Sequence, residues 1–182
     1  RSGVKVFVGS SINPELGGTW ISRTVEYKPA YRAVALRNDQ TLLTVKSPEM
    51  LHATGFLARV FAILAKHKLS VDLITTSEIS VALTIDNPPN TTITTLIEDC
   101  IKDLSSFCEV ELESDLALIA VIGNHVGYDD KVGGAGRIFN SVTDDQLRLI
   151  CHGASDHNVC FLVQQENAKE IVRQIHDDLF TA

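Results

Sequence analysis

The sequence predicts an α+β protein built from two βαββαβ units, the first inserted in the second. Three observations carry that expectation. The chain repeats itself at an offset of 78 residues: Gly55 falls on Gly133, Phe61 on Phe139, Leu69 on Leu147, Ser77 on Ser155, Val81 on Val159 and Ile93 on Ile171. Within a copy, period-two and helical patterns alternate in the order strand, helix, strand, strand, helix, strand. The second copy has no room for its fourth strand, because the counterpart of Val110 would lie beyond Ala182.

In the first copy, Leu42–Val45 reads as a strand that Pro48 ends. Phe56, Leu57, Val60, Phe61 and Leu64 follow at helical spacing. Ser70–Thr76 is a second strand, with Val71, Leu73 and Thr75 expected on one face and Asp72 and Ile74 on the other. Val81, Leu83 and Ile85 alternate as a third. Pro88 and Pro89 make a turn, and Asn90 or Thr91 can cap a helix carrying Ile93, Leu96, Ile97, Ile101 and Leu104 on one stripe. Val110 and Leu112 form a fourth strand. Such a unit has an antiparallel sheet with both helices on one face.

The second copy begins at Leu116–Ile122, followed by a helix around Arg137–Thr143 and strands at Leu147–Cys151 and Val159–Val163. Its last helix carries Ala168, Ile171, Val172, Ile175 and Leu179. A missing strand leaves a sheet edge open. One unused strand, Arg32–Arg37, stands just before copy one and is expected to complete the second sheet. Residues 1–31 hold one short strand, Val4–Val8, among Gly9, Pro14, Gly17, Gly18 and Pro29, and read as a loop-rich connector or the tail of an upstream domain.

The bulk properties exclude several classes. A net charge of −7 disfavours nucleic acid or an anionic membrane as partner. Only 6% of residues are aromatic, against the stacking surfaces of RNA-binding sheets. The four cysteines are scattered, with no CxxC pair, as expected of core thiols in a reducing compartment. No apolar run reaches the ~18 residues of a membrane span. The chain starts at Arg1 without Met and without a signal-peptide pattern, as a piece of a longer cytoplasmic protein would. No nucleophile and base are paired at a spacing that suggests catalysis, and no metal-ligand pattern occurs. Gly133–Gly136 resembles a phosphate cradle, but no Gly-Lys-Ser/Thr follows.

What distinguishes the copies is where function is expected. The offset sets Asp72 against Ile150, Ser70 against Arg148, His52 against Asp130 and, less sharply, Glu78 against Asp156. Copy one concentrates polar groups in the turn Met50–Phe56 and in the strand from Ser70 through Asp72 to Thr76, Ser77 and Glu78. In a βαββαβ unit these places are expected to be close. Free N–H groups at the helix start, near Gly55, Phe56 and Leu57, suit a carboxylate. Asp72 suits an ammonium group, with Glu78 as a second negative charge. That layout fits a zwitterion with an extra cation, such as lysine; a neutral amino acid would leave an acid unpaired. The plainer alternatives are that Asp72 faces solvent or pairs with Lys46 or Lys68, and that His52 only closes a turn.

The stretch from Met50 to Leu57 and the run Val71-Asp72-Leu73-Ile74-Thr75-Thr76-Ser77-Glu78, continuing to Thr84, closely resemble the regulatory region of aspartate kinases. They are most similar to the lysine-sensitive, monofunctional type, aspartokinase III. Phe7–Ser11, Asn13-Pro14 and Gly18-Thr19 look like the end of that family's kinase domain, and Cys151–Asn158 like its second regulatory module. The resemblance implies two ferredoxin-like ACT domains: residues 38–114 as the effector-binding one, and 32–37 plus 115–182 as the second, after a kinase tail at 1–31. It implies an L-lysine site near the contact of two chains in a homodimer. On matching positions that site comprises Met50, His52, Gly55, Phe56, Leu57, Ser70, Val71, Asp72, Thr76, Ser77 and Glu78. Asp72 and Glu78 would face the amino groups, and backbone around Phe56 and Leu57 the carboxylate. Ala53 stands where relatives have serine, so one hydroxyl contact is lost, for which Thr54 is the available substitute. The family phosphorylates the β-carboxyl of aspartate with ATP and Mg²⁺, the first step toward lysine, threonine, methionine and diaminopimelate. The kinase domain would precede Arg1, so this chain is expected to be regulatory and inactive, without a cofactor of its own. Some relatives are fused to diaminopimelate decarboxylase. A sensor of another amino acid, such as threonine, and a purely structural dimerisation module are the competing expectations.

Overall fold

The computed structural model describes residues 3–24, 29–85, 93–124, 126, 134–142 and 147–180. The Pro88-Pro89 turn, the caps at Asn90 or Thr91, the side chain of Ile93, Asp130, Gly133 and Thr143 lie outside the described residues.

The elements in chain order are β1 (Val6–Gly9), β2 (Gly18–Ile21), β3 (Tyr31–Lys46), α1 (Phe56–Lys66), β4 (Val71–Thr76), β5 (Ser80–Ile85), α2 (Ile93–Leu104), β6 (Glu109–Gly123), α3 (Gly134–Phe139), β7 (Leu147–Cys151), β8 (Asn158–Gln164) and α4 (Gln165–Phe180). Strands β4-β5-β3-β6-β8-β7 form one antiparallel sheet. This corrects the expectation of separate strands in two sheets. Arg32–Arg37 and Leu42–Val45 are two halves of β3, and Val110–Leu112 and Leu116–Ile122 are two halves of β6. What reads as a break in the sequence is only a bulge. The register slips between Arg37 and Leu42, and Asp39 and Asp115 take left-handed φ values of 58°. A bulge bends a strand and raises its twist without ending it.

Each half of the sheet is a ferredoxin-like unit. In one, Thr41–Lys46 lies between β5 and the start of β6. In the other, the Leu116–Gly123 part of β6 lies between β8 and the Tyr31–Arg37 part of β3. The first unit is thus inserted in the second. Alternation sorts the side chains into three cores. Leu43, Val45, Val81, Leu83 and Ile85 face α1 and α2. Ala117, Ile119, Val121, Val159, Phe161 and Val163 face α3 and α4. The opposite faces of both halves, Leu42 from one and Leu116, Leu118, Leu149, Cys160 and Leu162 from the other, bury each other. The sheet therefore doubles over, and its edge strands β4 and β7 approach one another.

Three further expectations change. Val6–Gly9 and Gly18–Ile21 pair as a hairpin, β1 against β2, where the sequence suggested one strand in a loop. Gly17 and Gly18 read as loop residues, but Gly18 is there for close approach, since a Cβ would sit 2.3 Å from the Val8 carbonyl oxygen. Helix α3 starts earlier than Arg137 and ends at Phe139. Val71 and Leu73 do not share a face: Val71 packs with the helix-side core and Leu73 with the inter-unit core. The register slips between Val71 and Ile74. There the Leu73 N–H donates to the Thr84 hydroxyl at 2.8 Å, and Thr84 is fully buried.

Candidate functional site

The expected site residues fall into two groups. The first surrounds the start of α1. Strand β3 ends at Lys46, and the buried Ser47 donates its N–H to the Ile79 carbonyl at 2.8 Å, which ties the β4–β5 hairpin tip to this turn. A short 3-10 turn, Pro48–Leu51, follows, with half-buried Met50 against the helix-side core. His52 closes that turn and is exposed, as the plainer reading of it expects. Gly55 precedes α1 with φ 85°. A Cβ at Gly55 would meet nothing within 4 Å, so the backbone angle and not space calls for glycine. Gly55 has no side chain to cap α1, so the N-cap position leaves the first-turn N–H groups without a side-chain oxygen. The Phe56 ring is buried edge-on to Phe107 at 5.7 Å, whereas Leu57 is 39% exposed. Phe56 thus offers this surface its backbone, and Leu57 its side chain as well.

The hairpin tip belongs to the same end. Thr76 pairs with Val81, and Val81 with Val45. The Ser77 hydroxyl is engaged with the Ser80 hydroxyl at 2.7 Å, and the Ser77 N–H donates to the Ser80 carbonyl. Ser77 thereby shapes the turn that projects Glu78, which is exposed.

The second group is Ser70, Val71 and Asp72. It lies at the other end of the unit: Val71 pairs with Ile85, and Ile85 with Thr41. The expectation that both groups are close is therefore corrected. The chain leaves the top of β3, descends through the eleven residues of α1, roughly 16 Å, and enters β4 at the bottom. A single amino acid cannot span that separation within one chain.

Asp72 is exposed, as the plainer reading of it expects, but its partner is neither Lys46 nor Lys68. The Arg37 Nη1 donates to its Oδ2 at 3.1 Å. Lys46 pairs instead with Glu111 at 2.6 Å, which raises its ammonium pKa above the ordinary value. Asp72 also lies near Cys160, whose thiol is pushed up to about 11, by burial first and then by Cys151 and Asp72. Burial likewise raises the Cys100 thiol to about 11, as befits a core residue.

Two residues that sequence reasoning passed over belong to this description. Thr84 fixes the bulge that carries Asp72, and it could have been found: the same offset sets it against Leu162. Arg37 had no local signal, because its contact with Asp72 depends on the doubling of the sheet. A hollow lined by Gly3, Val4, Ile21, Ser22 and Arg23 sits on the hairpin and includes no expected site residue. Among the described residues no three His, Cys, Asp or Glu side chains could hold a metal, and no helix is long and apolar enough to cross a membrane.

This sequence pattern and fold are similar to those of aspartokinases. The profile of the ACT domain matches residues 43–88 and 119–179, one stretch in each unit. The lysine-sensitive aspartokinase 3 of Escherichia coli is 50% identical over 183 aligned residues, covering 99% of this chain. The chain spans 40% of that enzyme's length. The structure is similar to that of E. coli aspartokinase III in complex with lysine and aspartate, the T-state, with a TM-score of 0.84 and 50% identity over 98% of this chain and 40% of the other. Against the same enzyme with aspartate and ADP, the R-state, the TM-score is 0.87 at 49% identity, with the same coverage. With its two matched stretches and its relatives among the aspartokinases, the chain belongs to the ACT domain family.

Proposed function

We propose that this chain is the regulatory region of a cytoplasmic aspartate kinase, and that it binds L-lysine and passes on feedback inhibition of the first step of the aspartate pathway. Catalysis, with ATP and Mg²⁺, would reside in the part of the relatives that this chain does not match. The limits we assign are 38–114 for the effector-binding domain, 32–37 plus 115–182 for the second, and 1–31 for the tail of the kinase domain.

The observation that carries the reading is Asp72, a carboxylate on β4 where the twin unit has Ile150. The uncapped first turn of α1 supplies the opposite charge preference and suits a carboxylate. The lysine sensitivity in the name of the E. coli relative supports lysine as the guest. Because the two groups are too far apart in one chain, the site is completed by a second copy. One protomer offers the α1 start with Met50, His52, Gly55, Phe56 and Leu57, beside the hairpin tip with Thr76, Ser77 and Glu78. The other offers Ser70, Val71 and Asp72. The exposed apolar side chains Leu51, Leu57, Ile74 and Ile79 favour such an association. A ligand held between two copies couples to their arrangement, as inhibition requires, since it can shift only an equilibrium whose states it binds unequally.

The test is thermal melting with an amino-acid panel. Lysine is expected to raise the melting temperature of the chain, and threonine, methionine and leucine to do so far less. No response to lysine would sink the reading.

A further inference from the structure

We propose that Arg37 is the resident counter-ion of the effector site, which an incoming ligand ammonium must displace from Asp72. This rests on the reading of Asp72 given above and adds a residue to it. Arg37 lies in the strand that completes the second unit, next to Leu118 of β6, whereas Asp72 lies on β4 of the first. The 3.1 Å contact is therefore a bridge between the units and not a local pair.

Its energetics suit a placeholder. Both side chains are about half exposed, at 49% and 41%, so water screens the pair and breaking it costs little. A ligand ammonium reaching Asp72 meets the Arg37 guanidinium a few ångströms away, and two like charges at one carboxylate repel. The guanidinium gives way because a half-exposed pair is weak and water can take its place. Two residues on, Asp39 has φ 58° in the bulge of β3, and its N–H donates to the Gln165 side-chain oxygen at the start of α4. Displacing Arg37 thus registers occupancy of the first unit in the second.

The experiment is isothermal calorimetry of L-lysine with the wild-type chain, Arg37→Gln, Asp72→Asn and the double variant, with melting curves to confirm folding. Removing the competitor is expected to tighten lysine binding about two- to fivefold, the range for an exposed ion pair. The same change in the Asp72→Asn background is expected to do nothing, because no competition remains; a merely structural role for Arg37 would not vanish there. Arg37→Met, which keeps the aliphatic length, replaces Arg37→Gln should the latter fail to fold. If the wild-type chain binds lysine and the neutral variants bind it equally or more weakly, this inference is overturned and the lysine reading stands. If the wild-type chain takes no lysine, the lysine reading fails and this inference falls with it.

Discussion

The two units share a scaffold and differ in what they place on it. Where β4 carries Asp72, β7 carries Ile150; where Ser70 precedes β4, Arg148 stands in β7 and bonds Glu113 at 2.8 Å. Where β5 buries Thr84, β8 buries Leu162 in the inter-unit core. The helix-side positions, by contrast, agree in kind: Val81 and Val159 are both fully buried, as are Leu83 and Phe161. Packing against helices thus constrains both copies alike, while the outer strand is free to diverge. On the proposed function, divergence there turns one copy toward a ligand and leaves the other as a support.

If that division holds, the support must be energetically continuous with the sensor. Phe161 is fully buried and meets Phe139 edge-on at 5.8 Å. Phe161→Ala is expected to cost about 3–5 kcal/mol. Because β3 and β6 run through both units, that loss should appear in one cooperative denaturation transition, followed by circular dichroism. Two separate transitions would mean that the units are independent.

A smaller effect probes the strand that sets the units apart. Thr84→Val keeps the volume but leaves the Leu73 N–H without its acceptor, at about 1–3 kcal/mol. Urea midpoints would measure that loss, and lysine binding is expected to weaken with it because the bulge presents Asp72. Unchanged binding would show that the bulge does not position the carboxylate.

The smallest effect concerns the helix layer of the first unit. Asp103 accepts from Lys66 and contacts His67, both at 2.7 Å, and these partners hold its carboxyl below the usual carboxylate range. A carboxyl with a lowered folded pKa adds stability above its unfolded value and loses it as pH falls through the folded one. Acid melting below about pH 4 is therefore expected to be shallower in Asp103→Asn than in the wild type. Parallel curves would remove this pair from the account.

Much of the fold was legible because burial repeats. Phe61 and Phe139, Leu69 and Leu147, and Val81 and Val159 occupy like places, and apolar identity survives at such positions. Counting strands pointed to Arg32–Arg37 as the supplement to the second sheet, and that segment pairs with Leu118–Ile122. The continuity of β3 and β6 was not legible, since polar residues such as Asn38, Asp39 and Asp115 signal turns as readily as bulges. Nor was the Arg37–Asp72 contact, which arises only when the two open faces bury each other. Sequence spacing placed Ser70–Asp72 near the α1 start, but a helix between them puts them at opposite ends. The candidate residues were thus readable one by one; their division between the ends of the unit was not.

The most direct test compares L-lysine with L-norleucine, which has the same carbon chain without the ε-ammonium group, by calorimetry on the wild-type chain and on Asp72→Asn. The account predicts that the wild type prefers lysine by about tenfold or more, the worth of a charge-assisted hydrogen bond, and that Asp72→Asn loses the preference. A variant that still distinguishes the two ligands as the wild type does would contradict it.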